Sequence, residues 1–457
     1  MLSTGFFIAS KSELPHIPPL RTCLWPQSKV SGGYATTETW FNGAAKGIRP
    51  APLNIGCLLM SNSSPREPGA LSAYFDRLVR KLNPDIPVHV SWPDRARAEA
   101  EAFTSTFPGQ TLYAVKCNTD EKILRALYEG GVRAFDAASI NEVRLIRRLF
   151  PEAPIYFMAP VKSRTAIREA YFEHGVRAFV LDMKDELDKI VAETKSAKDL
   201  HLFVRLALPK SETAIDFSSK FGAPAIAAID LLKQSARQAK KLGVSFHVGT
   251  HCLTPGAYDT AIAMAASTIT TSGVRVHTLD VGGGFPAGAG KNGVPPLSDF
   301  MHHIKSAIKR HGLSSLELLA EPGRALVYSA ASLIVRVEAR KDNLLYVNDG
   351  VYGGLQEASE QIGMTYPAQA IRTDRHLSSL TRAFTLTGPT CDSLDVMPGQ
   401  VELPHDIAEG DYIAFDETGA YGEETRTRFN GFDDILRVTQ AGLPERTIQH
   451  TPIAQVA

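Results

Sequence analysis

Eight short apolar runs, separated by longer amphipathic stretches, follow one another through the middle of the chain. A short apolar run predicts a buried parallel strand, and an amphipathic stretch predicts a helix that covers it. Eight such alternations predict a (β/α)8 barrel, with a doubly wound sheet as the alternative. The barrel is favoured because polar or glycine residues end nearly every run, where a barrel places its active site. The predicted strands are 111–117, 133–138, 155–159, 178–182, 202–208, 244–248, 278–281 and 316–320, and the predicted helices include 121–129, 140–150, 164–174 and 225–242.

The pattern changes after Pro322, where strand-like runs alternate with glycine and proline turns. These runs predict a β domain of sandwich or small-barrel type, completed by a strand near 87–92. The predicted fold is therefore α/β, a (β/α)8 TIM-like barrel at 92–330 with a second, all-β domain from 63–91 and 331–445. Residues 1–62 lack periodicity and predict a poorly structured extension, or an over-long start before Met60. The runs of the β domain are 332–338, 344–347, 383–386 and 412–415.

Charge and cysteine content exclude several classes of function. Lys+Arg and Asp+Glu both number 49, so the net charge is zero and no surface for nucleic acid is indicated. No apolar run is long enough to span a membrane. The five cysteines lack metal-ligand spacing, so no metal site is predicted, and their small number favours a reducing, cytoplasmic location.

Lys116 ends the first predicted strand, directly after an apolar run. Burying an unpaired lysine is costly, so its pKa is expected to be lowered, which makes the amine a nucleophile able to form a Schiff base. The alternative is a structural lysine whose stem lies along the barrel rim while its amine reaches water.

Further polar segments follow the later strands. The glycines at 282–284 follow the seventh strand, where exposed amides bind phosphate in many barrels; a flexible turn is the alternative. Glu321 and Arg324 follow the eighth strand and suit a cationic ring nitrogen and a phosphate, or else an internal Glu–Arg pair. His247, in the sixth strand, is either a catalytic or a core histidine.

In the β domain, Cys391 and Asp392 lie together in a turn that follows residues 388–390. The segments 419–421 and 429–432 are turns that combine aromatic residues with glycine. Each of these three segments by itself says little about function. Their order along the chain, after the barrel motifs, is what can be compared with known families.

Taken together, residues 87–432 resemble the fold-type III pyridoxal-phosphate decarboxylases, most closely the eukaryotic-type ornithine decarboxylase family. The resemblance includes the segment Asn-Asp-Gly-Val-Tyr-Gly at 348–353. It implies an alanine racemase-like fold, pyridoxal 5'-phosphate as the cofactor, a Schiff base to Lys116, a protonated ring nitrogen facing Glu321, and His247 stacked on the ring. The implied phosphate ligands are Gly282, Gly283, Gly284, Thr250, Arg324 and Tyr421, while Asp136 and Arg205 match other family positions near the cofactor.

The same resemblance assigns residues of the β domain to the substrate. Cys391 is expected to reprotonate the α-carbon after carbon dioxide leaves, and Asp392 to bind the distal amine of the substrate. Phe429 is expected to line an apolar pocket that faces the substrate carboxylate. Because the family places the Cys–Asp element in the partner's site, an obligate homodimer with shared active sites is implied.

Three positions depart from the family pattern. Thr250 replaces a serine and keeps the hydroxyl, whereas His251 stands where the family has a small residue. Residues 360–362 read Glu-Gln-Ile where ornithine decarboxylases have Tyr-Asp-His, whose aspartate meets the distal amine. Glu360 could replace that carboxylate, or Glu357 and Glu360 could form the solvated face of a short helix.

The expected reaction is the conversion of L-ornithine to putrescine, a step of polyamine biosynthesis. Lysine, arginine or diaminobutyrate decarboxylation is the alternative within the same fold. Diaminopimelate decarboxylase is disfavoured because Asp392 suits a cationic distal group, and alanine racemase lacks the 388–392 motif. An inactive regulator resembling the antizyme inhibitors is the alternative from another class, but such proteins lose cofactor-binding residues. Here Lys116, Glu321, Arg324, His247 and Cys391 are all present.

Overall fold

A computed structural model describes residues 68–209, 220–290 and 293–440, which belong to one compact unit. The predicted extension at 1–62, with Met60 as an alternative start, lies outside the described residues. Among the residues that are described, no helix has the length and apolarity needed to cross a bilayer.

The described chain begins with helix α1 (Pro68–Leu82), strand β1 (Val88–Ser91) and helix α2 (Pro93–Thr106). Eight strand–helix units follow. The strands are β2 (Gln110–Ala114), β3 (Ala134–Ala137), β4 (Ile155–Phe157), β5 (Ala178–Leu181), β6 (His201–Arg205), β7 (Lys241–Ser245), β8 (Thr278–Asp280) and β9 (Glu317–Ala320). The helices are α3 (Glu121–Glu129), α4 (Ile140–Leu149), α5 (Arg164–Phe172), α6 (Lys184–Glu193), α7 (Ala225–Ala236), α8 (Ala257–Ser272), α9 (Leu297–Arg310) and α10 (Arg324–Val327).

Strands β2 to β9 pair in parallel with their neighbours, and β9 pairs with β2 to close the sheet. The predicted (β/α)8 barrel is therefore confirmed, and the doubly wound alternative is wrong. Closure matters for function because it brings the carboxyl ends of all eight strands to one rim, where a barrel of this kind builds its site.

Several predicted ends differ from the structure by two or more residues, and two of them matter here. The first barrel strand ends at Ala114, and Val115–Cys117 form a one-turn 3-10 helix that turns Lys116 away from the strand direction. The helix predicted at 225–242 ends at Ala236, and β7 already begins at Lys241. A short apolar run cannot distinguish helix from strand by spacing alone, so the helical pattern was carried into β7.

The second domain is one eight-stranded, mostly antiparallel sheet rather than the two facing sheets of a sandwich. Strand β1 pairs with β10 and β16, as the prediction of a strand near 87–92 requires, while three of the other strands (β12, β14 and β16) were not predicted. The remaining strands are β10 (Ala331–Lys341), β11 (Leu344–Val347), β12 (Ala368–Ile371), β13 (Thr381–Thr387), β14 (Val396–Pro404), β15 (Tyr412–Phe415) and β16 (Leu436–Thr439), and their order is β12-β15-β10-β11-β13-β14.

Strand β10 organises this sheet because both of its faces are buried. Leu333 and Val335 pack into one apolar core, whereas Ile334 packs on the other face with Phe75 of α1. Alternate residues of a strand point to opposite faces, so a single strand serves two cores. Strand β10 pairs with β1 and β15 over residues 331–336 and with β11 over residues 337–341, and the register with β11 shifts between Val337 and Ala339.

Gly243 of β7 tests the packing inside the barrel. A Cβ atom at this position would lie 2.4 Å from the ring of Phe203 in β6, so the Gly243→Ala variant must displace a fully buried aromatic ring. Overpacking of this kind lowers the free energy of unfolding by about 1–3 kcal/mol. Denaturant unfolding should show this loss, whereas Gly256→Ala, where no atom lies within 4 Å of the added Cβ, should change little. Equal stability of the two variants would contradict the packing described here.

Candidate active site

Lys116 lies beyond the end of β2 and forms an ion pair with Asp136 of β3, with Nζ 2.8 Å from Oδ2. The side chain of Lys116 keeps 43% of its surface exposed, whereas that of Asp136 is 2% exposed, so a partly exposed lysine is paired with a buried carboxylate. Burial acts to lower the pKa of Lys116, but the charges of Asp136, Tyr421 and Glu321 outweigh it and raise that pKa above its ordinary value. The prediction of a lowered pKa is therefore wrong for the cofactor-free protein, because the carboxylate of Asp136 was not anticipated as its partner.

Glu321 follows β9 and is anchored by its backbone N–H, which donates to Gly282 O at 2.8 Å. Burial, together with the nearby carboxylates of Asp280 and Asp136, raises the pKa of Glu321 well above its ordinary value. Arg205, the last residue of β6, faces the same group, and its positive charge acts in the opposite direction. A cationic group that enters this space would therefore be stabilised by carboxylates that otherwise repel one another.

His247 follows β7 and is held in one orientation. Its Nδ1 accepts a hydrogen bond from the backbone N–H of Gly249 at 3.0 Å, which assigns the ring proton of the neutral form to Nε2. Burial, with the charges of Arg205 and Lys116, lowers the pKa of His247 well below its ordinary value. The ring is therefore neutral, which suits packing against a flat cofactor.

The glycine loop after β8 is required by close contacts of its backbone. Gly282 and Gly284 have positive φ angles of 67° and 102°, and a Cβ on them would lie 2.0 Å from Phe246 O and 2.6 Å from Gly249 O. The amide of Gly282 donates a hydrogen bond to Asp280 Oδ1 at 2.8 Å and is therefore already paired within the protein. The interpretation of the loop as a merely flexible turn is wrong, since each glycine fits against a defined neighbour.

Arg324 begins α10 and is 6% exposed, with its guanidinium 5.3 Å from the centre of the Tyr421 ring. It does not pair with Glu321; instead both of its terminal nitrogens donate to the carboxylate of Glu357, and Nη1 lies 2.5 Å from Oε2. The internal Glu321–Arg324 pair is therefore wrong. So is the solvated face assigned to Glu357, which is 5% exposed, whereas Glu360 is exposed on the turn that follows.

Thr250 and His251 complete this corner of the barrel rim. Thr250 is half-buried, and His251 has a positive φ of 50°, which is unusual for a residue with a side chain. The Nδ1 atom of His251 is buried and has no hydrogen-bond partner among the described residues. Burial and the charge of Arg324 lower the pKa of this histidine.

The β domain presents a second group of candidate residues. Asp392 accepts a hydrogen bond from the Tyr352 hydroxyl at 2.5 Å, and the ring of Phe429 lies 4.9 Å from that of Tyr352. Cys391 is an exposed free thiol whose backbone N–H donates to the Asn430 side chain at 3.1 Å. These residues lie on turns of the β domain, whereas Lys116 and its partner Asp136 belong to the barrel rim.

Two buried aspartates hold this second group in place. Asp395 accepts hydrogen bonds from Val351 N at 2.9 Å and from the amide and hydroxyl of Thr390 at 3.0 and 2.8 Å, which fixes the turn that carries Cys391. Asp349 pairs with Arg426 at 2.6 Å and fixes the turn before Tyr352.

Residues 94–328 match the family model described as pyridoxal-dependent decarboxylase, pyridoxal binding domain. This span contains the barrel strands and the polar residues at their carboxyl ends. The chain belongs to the pyridoxal-dependent decarboxylase family. Pyridoxal phosphate is the cofactor of these carboxy-lyases, as the resemblance implied.

The relatives of this chain carry names of different functions. Ornithine decarboxylase from Schizosaccharomyces pombe is 33% identical over 342 residues, which cover 71% of this chain and 76% of the relative. Antizyme inhibitor 2 from Xenopus laevis is 32% identical over 344 residues, which cover 70% and 73%. The crystal structure of the Paramecium bursaria Chlorella virus arginine decarboxylase has a TM-score of 0.72 at 28% identity and covers 81% of this chain and 100% of that one. The fold-type III architecture is confirmed.

The residues present in the decarboxylase fit pyridoxal phosphate. Three buried polar atoms have no partner among the described residues, and each belongs to a predicted cofactor position or its neighbour: Asp136 Oδ1, Arg324 Nε and His251 Nδ1. The barrel rim offers the amine of Lys116 for the cofactor aldehyde, the carboxylate of Glu321 for its ring nitrogen and the guanidinium of Arg324 for its phosphate. The carboxylate of Glu357, which is already bound to that arginine, opposes a phosphate at this position.

Sequence reasoning missed four residues of this site. Asp280 ends β8 immediately before the glycine loop, and its position at a strand end was the available signal. Tyr352 lies inside the segment 348–353 and Asp395 lies three residues after Asp392, but a contact between two distant turns leaves no pattern in the sequence. Glu357 was considered only as part of a solvated helix face, because helical spacing does not reveal that an arginine of the barrel contacts it.

Asp136→Asn tests the origin of the raised pKa of Lys116. Burial lowers the pKa of Lys116 and the Asp136 carboxylate raises it, so removal of the carboxylate should lower that pKa by about one unit or more. NMR titration of the methylated lysines in the cofactor-free protein, with the Lys116 signal identified by Lys116→Arg, measures the change. The control is Asp188→Asn, which removes a carboxylate from an exposed ion pair with Lys184 and should leave the titration of Lys116 unchanged. An unchanged titration of Lys116 in Asp136→Asn would refute the electrostatic role given to the carboxylate.

Proposed function

We propose that the chain decarboxylates a basic L-amino acid, with L-ornithine as the first choice and putrescine as the product. The observation that carries this proposal is the Asp392 carboxylate, which accepts a hydrogen bond from Tyr352 in the Cys391 turn. This hydrogen bond lowers the pKa of Asp392, so the group stays negative at neutral pH. A fixed negative charge suits the distal ammonium of ornithine and disfavours a substrate with a distal carboxylate.

The barrel residues are assigned to the cofactor. Lys116 binds its aldehyde, Glu321 accepts a hydrogen bond from its ring nitrogen, and the neutral ring of His247 packs against its face. Asp136 holds Lys116 in position, and Arg205 faces Glu321 from β6. When bound, the cofactor withdraws electrons from the substrate α-carbon, which allows carbon dioxide to leave. The phosphate is assigned to Thr250, Gly282, Gly283, Gly284, Arg324 and Tyr421, with direct amide donation expected from Gly283 and Gly284 because Asp280 occupies that of Gly282.

Cys391 is assigned as the proton donor to the α-carbon after decarboxylation. Its thiol is exposed, and the turn that carries it is fixed by Asp395 and Asn430, so the donor sits on a rigid support. Phe429 and Tyr352 form an aromatic surface beside it. The apolar surface favours loss of the substrate carboxylate as uncharged carbon dioxide, and the thiol then supplies a proton to the α-carbon.

We further propose a homodimer in which Cys391, Asp392 and Phe429 complete the partner's site. Phe429, Phe432 and Leu394 are 41%, 46% and 64% exposed in one chain, and exposed apolar side chains around a rigid turn are typical of an interface. In this arrangement residues 331–445, with 63–91, form the domain that reaches the neighbouring barrel. We place the enzyme in the cytoplasm because Cys117 and Cys252 are free thiols in the protein interior. Free rather than disulfide-bonded cysteines are typical of a reducing compartment.

The candidate substrates differ in the distance between the α-carbon and the distal cation. Glu360 is exposed and lies beyond the buried Glu357, so Asp392 carries the main contact to the distal amine and Glu360 contributes from a solvated turn. Lysine, arginine and diaminobutyrate also have cationic ends and are the same-fold alternatives.

An inactive regulator is the second candidate function. The similarity to antizyme inhibitor 2 favours it, as does the carboxylate of Glu357 on the arginine that the phosphate needs. Release of carbon dioxide by the purified protein decides between the two candidates.

The substrate experiment measures kcat/KM for ornithine, lysine, arginine and diaminobutyrate. Ornithine should be the best substrate, and Asp392→Asn should lower its kcat/KM by about 10- to 150-fold, the loss of one hydrogen bond to a charged group. Glu360→Gln should have a smaller effect, and the exposed Asp374→Asn should have none. No carbon dioxide from any of the four, or turnover only of a substrate without a distal cation, would overturn the proposal.

Subunit mixing tests the shared site. Lys116→Ala and Cys391→Ala should each be inactive, because each removes a group that both sites of a homodimer need. In the mixed dimer one site keeps both residues, so equal mixing should restore about one quarter of native activity. Exchange of subunits is checked with two affinity tags. Full exchange without recovery would place Cys391 and Lys116 in the same chain's site.

A further inference from the structure

Glu357 occupies the part of the site where an anion would be bound. Its two carboxylate oxygens each accept a hydrogen bond from a different terminal nitrogen of Arg324, and both side chains are about 6% exposed. A guanidinium binds a carboxylate and a phosphate through the same pair of parallel hydrogen bonds. Glu357 therefore uses the donors that a phosphate would use.

The neighbouring groups do not compensate for this carboxylate. Tyr421 and Tyr366 face the pair with hydroxyl groups whose pKa is raised by burial, so both are neutral. His251 faces Arg324 and is also neutral, because burial and that charge lower its pKa. Cys117, beneath Arg324, has its pKa raised by burial to about 12. The charge of Lys116 also reaches Tyr421 and Cys117, but this lysine is already paired with Asp136, and the charge of Glu424 reaches Cys117 as a second carboxylate. A phosphate at Arg324 would therefore add negative charge to a pair that is already neutral.

We propose that Glu357 is an internal competitor for the cofactor phosphate: it satisfies Arg324 in the cofactor-free protein and must move away before the phosphate can bind. The proposal rests on the proposed function only for the identity of that phosphate. The pair stabilises the empty protein, because an arginine buried without a partner would be costly. The cofactor is bound more weakly than it would be at an open arginine, since the same hydrogen bonds must be exchanged.

A purely structural Glu357 makes a different prediction. If the carboxylate only supported the phosphate site, its loss would weaken both the fold and cofactor binding. If it competes, its loss weakens the fold of the cofactor-free protein but strengthens binding of the phosphate. The opposite signs of the two effects distinguish the roles without any assay of turnover.

The experiment compares the full chain with Glu357→Gln and with the shorter Glu357→Asp, all freed of cofactor. Protein fluorescence measures the Kd of pyridoxal phosphate and of pyridoxal, which lacks the phosphate, and thermal unfolding measures the stability of the empty proteins. Glu357→Gln should bind pyridoxal phosphate about tenfold more tightly and pyridoxal equally, and should unfold a few degrees lower. Glu357→Asp, which keeps the charge but retracts it, should fall between Glu357→Gln and the native chain.

Glu402→Gln, which removes an exposed carboxylate of β14, is the matched control and should change neither quantity. Inorganic phosphate, followed by the broadening of its NMR signal, is a probe that does not depend on the proposed activity. It should bind Glu357→Gln more tightly than the native chain even if no amino acid is decarboxylated. Equal or weaker binding of both phosphate probes to Glu357→Gln, or an equal gain for pyridoxal, would overturn the proposal.

Discussion

The ion pair between Lys116 and Asp136 is the interaction on which the arrangement of the barrel rim depends. Asp136, Asp280 and Glu321 bring three carboxylates into one buried region, and Lys116 and Arg205 supply the positive charge that faces them. These two cations offset part of the repulsion among the carboxylates. The raised pKa values of Glu321 and Lys116 are therefore two consequences of the same crowding.

Backbone geometry makes this crowding possible. Closure of the barrel brings the ends of β2, β3, β6, β8 and β9 to one rim, and the glycine loop after β8 approaches Phe246 and Gly249 too closely for any side chain. The β domain uses buried aspartates in the same way. Asp395 and Asp349 satisfy turn amides and an arginine, and so present Cys391 and Asp392 on rigid turns. Close backbone contacts in the barrel and buried aspartates in the β domain thus fix the two groups of candidate residues.

Much of the fold could be predicted because it depends on local patterns. Apolar runs and their spacing predicted all eight barrel strands, with errors only at ends such as Ala114 and Lys241. Positions at strand ends also pointed to Lys116, Glu321 and Arg324. The pairings of these residues could not be predicted, because Lys116–Asp136 and Arg324–Glu357 join segments 20 and 33 residues apart without any periodic signal. The direction of the Lys116 pKa shift was wrong for that reason: burial was foreseen and its counter-charge was not.

Chemical trapping of the cofactor tests the central claim, that the lysine paired with Asp136 is the one that binds pyridoxal phosphate. Borohydride reduction of the cofactor-loaded protein, followed by proteolysis and mass spectrometry, identifies the modified residue. The account predicts the pyridoxyl label on Lys116 in the native chain and its loss in Lys116→Arg. A label on another lysine such as the buried Lys162, or stoichiometric labelling that persists in Lys116→Arg, would contradict it.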